Sequence, residues 1–162
     1  MEGRPTRPAI RIVRRKTLDA PPSRAVAALA AKLLEAAFAG RADAPGALAI
    51  ELVGDREMPE AKARVFGLRV QTDVISLRYA PVPGGPPGGE AEIVVNAERA
   101  RQEGAKRPGG EAKEFALYLA HGIDHLTGAD DATPPERRRM RRRELRWLGR
   151  FAGEVDALRT GH

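Results

Sequence analysis

Residues 111–127 constrain this chain more than any other stretch. After Glu114, the run from Phe115 to Leu126 carries one carboxylate, Asp124, and no Lys or Arg. A helix so poor in charge has to lie inside the fold, with other elements packed over most of its surface. Phe115, Leu117, Leu119 and Ile123 run along it, and Gly128 stands where a glycine commonly ends a helix. Two of the chain's three histidines, His121 and His125, stand four apart near its end. That spacing puts both imidazoles on one face, about 40° apart around the axis, at a partly buried position. The turn behind them brings Asp130 and Asp131, either of which could supply a third ligand. The unit reads as a three-ligand metal site with one open position. The plainer alternative is a histidine pair on a helix surface with a polar turn behind it.

The remaining elements are read from periodicity. Ala9–Arg14 alternates apolar and basic positions like a half-buried strand, after a flexible tail at 1–8. Ser23 is placed to cap a helix through Phe38, with Val26, Leu29, Leu33 and Phe38 near one face. Ala47–Val53 is a second strand, and Asp55 is placed to cap a helix over 56–66 that ends at Gly67. Val70–Tyr79 predicts a third strand, with Val74 and Ser76 on one face and Asp73, Ile75 and Leu77 on the other. Residues 80–89, dense in Pro and Gly, predict a flexible loop. Glu90–Val95 then returns as a fourth strand, making a long-looped hairpin with the third. Asn96 is placed to cap a helix over 97–103, and Thr133-Pro-Pro-Glu136 opens a last helix running to about Leu158. The expected architecture is α+β: one domain over residues 9–158, with a roughly four-stranded mixed sheet covered by helices and the metal in a cleft.

Composition narrows the chemistry. With no cysteine, thiolate ligands, disulfides and a cysteine nucleophile are excluded, so a metal must be held by His and carboxylates. A formal charge of +6 favours an acidic partner, and the last helix concentrates it in Arg137–Arg139, Arg141–Arg143, Arg146 and Arg150 against only Glu136 and Glu144. Arginine is also a good helix former, so a solvated face is the plain reading. Phosphate binding beside a hydrolytic metal is the sharper one, with Arg138 and Arg142 as candidates. No run is long and apolar enough for a membrane span, and the first residues lack a signal-peptide core, so a cytoplasmic protein is expected.

Taken together, Thr72-Asp-Val-Ile-Ser76, Glu92-Ile-Val-Val95 and the histidine motif resemble the YbeY family of single-domain metal-dependent endoribonucleases linked to ribosomal RNA maturation. The resemblance runs from about Ala47 to Trp147. Against the family pattern H-G-x-L-H-L-x-G-Y-D-H, the chain matches His121, Gly122, His125, Leu126, Gly128 and Asp130. It departs at Asp124 (Leu in the family), Ala129 (Tyr) and Asp131 (the third His). Phe66 stands where family members often carry an arginine, for which Arg69 is a candidate substitute.

The resemblance implies one zinc ion, with nickel or iron compatible, held by His121, His125 and Asp131, and ribosomal RNA or the ribosome as partner. A carboxylate third ligand leaves the centre one charge less positive, predicting a weaker Lewis acid and a bound water of higher pKa. Gly122 occupies the position where peptidases of the H-E-x-x-H pattern carry their glutamate, which argues against a peptidase. Asp124, on the flank of the histidine face, is the candidate to orient a histidine or accept a proton from water. Two alternatives stay open: an RNA-binding protein with a degenerate metal site, and a metal-dependent hydrolase of another substrate.

Overall fold

In the computed structural model, residues 7–159 are described, so most of the expected tail at 1–8 lies outside the described residues. The order of elements is β1 (Ala9–Val13), α1 (Ser23–Ala37), β2 (Ala47–Val53), α2 (Met58–Phe66), β3 (Val74–Arg78), β4 (Glu90–Asn96), α3 (Ala97–Gly104), α4 (Gly110–Leu126), α5 (Pro134–Arg150) and α6 (Ala152–Asp156). The strands form one mixed sheet in the order β1-β2-β4-β3. β1, β2 and β4 are parallel, and β3 is antiparallel to β4. The architecture is α+β, as expected. No helix among the described residues is long and apolar enough to cross a membrane.

Strand alternation sorts the side chains between two faces. Leu48, Ile50, Leu52, Ala91, Ile93 and Val95 point to one face, where they join Leu29 and Leu33 of α1 and Phe115, Leu119 and Ile123 of α4 in the main core. Val53, Ile75 and Val94 point to the other, where Met58 and Ala61 of α2 cover them. The register aligns Ile12, Ile50, Ile93 and Ser76 in one row across the four strands. Gly122 of α4 sits on the end of that row. Its carbonyl accepts a hydrogen bond from Ser76 Oγ at 2.7 Å, and a β-carbon at Gly122 would meet Val74 Cγ2 at 2.9 Å and Ile93 Cγ2 at 3.1 Å. The helix that carries the histidines is seated on the sheet by an absent side chain.

Four local expectations are corrected. Ser23 is the first helical residue, and Pro22 takes the cap position without a side-chain hydrogen bond. Asp55 does not cap α2, whose cap residue is Glu57. Its Oδ1 instead accepts from Asn96 Nδ2 at 2.9 Å. Asn96 is fully buried and caps α3 through Arg99 N–H at 3.0 Å, so Asp55 serves a buried amide that needs an acceptor. The third strand begins at Val74 rather than Val70, because pairing with β4 ends at Val95 opposite Val74. The last helix breaks at Phe151 (φ −104°, ψ 33°), and the bend turns Phe151 and Leu158 into the main core. Residues 80–89 form no helix or strand, and they join the neighbouring segment through a hydrogen bond from Gly46 N–H to the Gly89 carbonyl at 2.9 Å.

Candidate metal centre

The histidine face of α4 opens into a cleft of about 510 Å³, lined among others by Thr72–Ser76 from the β3 segment, Phe66 of α2, Tyr118, His121 and His125 of α4, Asp131 and Arg141. His121 and His125 are each about 30% exposed, and Asp131 stands at the mouth. Their Nε2 atoms are 3.1 Å apart, and Asp131 Oδ2 is 3.4 Å from each. Tetrahedral coordination with arms of about 2.0–2.1 Å requires ligand atoms about 3.3–3.4 Å apart. The three atoms thus form nearly the triangle that one face of such a site needs. Three lone-pair donors of one hard-to-borderline set, converging on a point that faces solvent, fit a divalent ion with a position left open.

Both imidazoles are held by their other nitrogen. His125 Nδ1 donates to the Ala129 carbonyl at 3.0 Å, which is available because the chain turns back after Gly128 at φ 92°. Nδ1 of His121 lies 3.0 Å from Glu144 Oε2, and Glu144 is buried between α4 and α5. With Nδ1 engaged, each ring presents Nε2 to the cleft. Burial pushes the His121 pKa down, but the hydrogen bond and charge of Glu144, helped by Asp131, outweigh it, and the net shift is upward. The Asp131 loop is braced by Arg137, whose Nη1 donates to the Asp131 and Ala132 carbonyls at 3.1 and 3.3 Å. Asp130 turns away and accepts from Ala132 N–H at 3.1 Å.

Several candidate residues fall elsewhere than the sequence suggested. Asp124 is fully buried between α4 and α5 and does not line the cleft. The Arg143 guanidinium grips both its oxygens at 2.9–3.1 Å, so it has no access to water in the cleft. Burial and the adjoining Glu144 carboxyl push the Asp124 pKa up to about 6, against the opposing pull of Arg143. Arg138 and Arg142 are exposed on α5 outside the cleft. Arg141 points into it from the same helix, and no ion pair holds it among the described residues. Arg69 is exposed beside Glu60 at 3.8 Å and does not line the cleft, whereas Phe66 does, half exposed.

The sequence pattern did not single out Glu144, although it carried a signal. Glu144 lies four residues after Met140 and four before Leu148, in the buried stripe of α5. A carboxylate on an otherwise apolar stripe is seldom buried without a partner. Gly122 also acquires a second meaning: a glutamate there would run into β3, so the sheet itself excludes the peptidase arrangement.

Comparison with known proteins places the fold and the family. A solution structure from Thermotoga maritima superposes with a TM-score of 0.54 at 21% identity, covering 89% of this chain and 92% of that one, and supports the fold. Curated proteins named Endoribonuclease YbeY are similar in sequence. One from Anaeromyxobacter is 43% identical over 126 residues, 75% of this chain and 62% of its own length. One from Myxococcus xanthus is 30% identical over 70% of this chain and 39% of its length, and one from Elusimicrobium minutum is 32% identical over 66% and 76%. The chain thus spans less than two thirds of the first two relatives. The family model described as Endoribonuclease YbeY matches residues 13–152, beyond both ends of the stretch that carries the sequence motifs, and the chain belongs to the YbeY family.

Proposed function

We propose that this chain is a metal-dependent endoribonuclease that acts on ribosomal RNA in the cytoplasm by hydrolysing a phosphodiester bond, with zinc as the metal and nickel or iron as substitutes. The observation that carries the reading is the open triangle of His121 Nε2, His125 Nε2 and Asp131 Oδ2 at the wall of a cleft. An ion bound there supplies Lewis acidity toward a phosphoryl oxygen and lowers the pKa of a coordinated water.

The chain's own residues supply the rest. His121 and His125 are neutral ligands with their protons held on Nδ1 by Glu144 and the Ala129 carbonyl. Asp131 brings one negative charge, which tempers the Lewis acidity. Arg141 is the cation placed to hold a phosphate oxygen across the site, and the exposed Arg138 and Arg142 add a field that attracts the backbone without touching the cut. Asp124 is assigned no proton transfer, since Arg143 and burial keep it from the cleft.

Elemental analysis with RNA cleavage, in the wild-type chain and in Asp131→Ala, Asp131→His and His121→Ala, tests the reading. Stoichiometric metal and chelator-sensitive cleavage are expected in the wild type. Both should be lost in His121→Ala, the metal should be depleted in Asp131→Ala, and Asp131→His should retain it. RNA binding that ignores chelators, with no metal in any form, would instead establish the non-catalytic binding protein.

A further inference from the structure

We propose that Glu144 is the positioning residue of the metal centre: from α5 it sets the tautomer and ring orientation of His121, and the buried Asp124, clamped by Arg143, fixes Glu144 in turn. This goes beyond the ligand set and rests on the metal reading only for its consequence, not for its geometry.

Three observations converge. Glu144 is 1% exposed, and its Oε2 lies 3.0 Å from His121 Nδ1. Its other oxygen, Oε1, is buried and accepts from no N–H donor among the described residues, and the carboxyl of Asp124 adjoins Glu144. A carboxylate buried between Met140 and Leu148 is costly unless partners hold it, and its partners here are His121 and the carboxyl of Asp124. Behind it, Asp124 is fully buried, its carboxyl adjoins that of Glu144, and the Arg143 fork clamps it at 2.9–3.1 Å. Asp124 and His125 are consecutive on α4, while Arg143 and Glu144 are consecutive on α5. One cross-helix clamp thereby sets the spacing of the two helices where Glu144 must reach His121.

The two histidines are consequently unequal. His125 is held by a neutral carbonyl, which orients it, while His121 is held by a carboxylate, which both orients it and makes Nε2 more electron-rich. His121 becomes the stronger donor of the pair. Its orientation depends on α5 rather than on its own helix and turn.

The test compares the wild type with Glu144→Gln and Glu144→Leu, all metal-free for one readout and titrated with zinc against a chromophoric chelator for the other. Long-range ¹H–¹⁵N NMR at about pH 9, where imidazoles are neutral, reads the tautomer of each histidine without metal. His121 is expected with its proton on Nδ1 in the wild type. In Glu144→Leu that preference should collapse while His125 keeps its own, and zinc affinity should fall about 10–100-fold. Glu144→Gln, which retains an acceptor oxygen, should keep the tautomer and lose less affinity. A wild-type His121 protonated on Nε2, or a folded Glu144→Leu variant with unchanged His121 tautomer and zinc affinity, overturns the proposal. If Glu144→Leu does not fold, the wild-type tautomer decides. A wild type that binds no zinc but shows the Nδ1-protonated His121 refutes the metal reading and leaves the role of Glu144 standing.

Discussion

Gly122→Ala adds one methyl group to the seam between α4 and the sheet, and the structure gives the size of the effect. In a helix with open space around it, Gly→Ala stabilises by about 0.8–1 kcal/mol. At Gly122 the added carbon would meet Val74 Cγ2 at 2.9 Å, Ile93 Cγ2 at 3.1 Å and Ser76 Oγ at 3.2 Å. Carbon atoms in contact prefer about 3.5–4.0 Å, so α4 or β3 must move by several tenths of an ångström. Val74 is β-branched and its strand is paired to β4, which leaves it little freedom to yield. Overpacking of this kind costs about 1–3 kcal/mol, and after the helix gain the variant should be about 0–2 kcal/mol less stable than wild type. Gly149→Ala in α5 is the control: a β-carbon there meets nothing within 4 Å, so the helix gain should appear undiminished. Urea unfolding of the metal-free proteins, analysed at equal m-values, should separate the two variants by about 1–3 kcal/mol. Because a displaced α4 carries His121 and His125 away from Asp131, zinc affinity should fall in Gly122→Ala and not in Gly149→Ala. Equal stabilisation of both variants would refute the claim that the sheet demands glycine at 122.

Arg141→Ala should weaken RNA binding and lower the slope of log K against log salt by about 0.7 for single strands, as loss of one phosphate contact requires. Arg142→Ala should change the slope less, and equal effects from the two would remove Arg141 from any special place in the cleft. The metal-free chain should be more stable at pH 5 than at pH 8. Folding raises the pKa of Asp124 from 3.8 to about 6 and raises that of His121 above 6.5. A raised pKa contributes stability that is complete below the unfolded value and lost as pH climbs through the folded one. For Asp124 the effect is at most on the order of 3 kcal/mol, and Asp124→Asn should flatten that part of the profile. A variant profile parallel to wild type from pH 4 to 8 would contradict this. Asp131→His should move the pH dependence of cleavage: restoring a neutral ligand makes the centre more electrophilic, so the acidic limb of the profile should shift to lower pH. An unshifted limb would show that Asp131 does not tune the water.

Much of this molecule is legible in its amino-acid sequence. The apolar runs of Ala47–Val53 and α4, the strand at Glu90–Val95 and the Thr133 cap are local patterns, and each sets its element, or for α5 its start, within a residue or two. The proximity of His121 and His125 follows from helical pitch alone, and the return of Asp131 from a glycine turn a few residues long. Capping is less legible, because Asp55 could serve either α2 or a distant buried amide, and only packing brings Asn96 within reach. The functional assignments within the arginine helix are the least legible. Rotation of α5 about its axis decides that Arg141 meets the cleft, that Arg138 and Arg142 meet solvent, and that Glu144 meets His121. That rotation is set by Met140, Leu148 and the Arg143–Asp124 clamp against α4, contacts between residues far apart in the chain. Sequence by itself therefore determined the elements and the histidine pair, since those depend on near neighbours. The tertiary structure decided which carboxylate orients a ligand and which is merely buried, because such roles depend on the side chains that packing brings into contact.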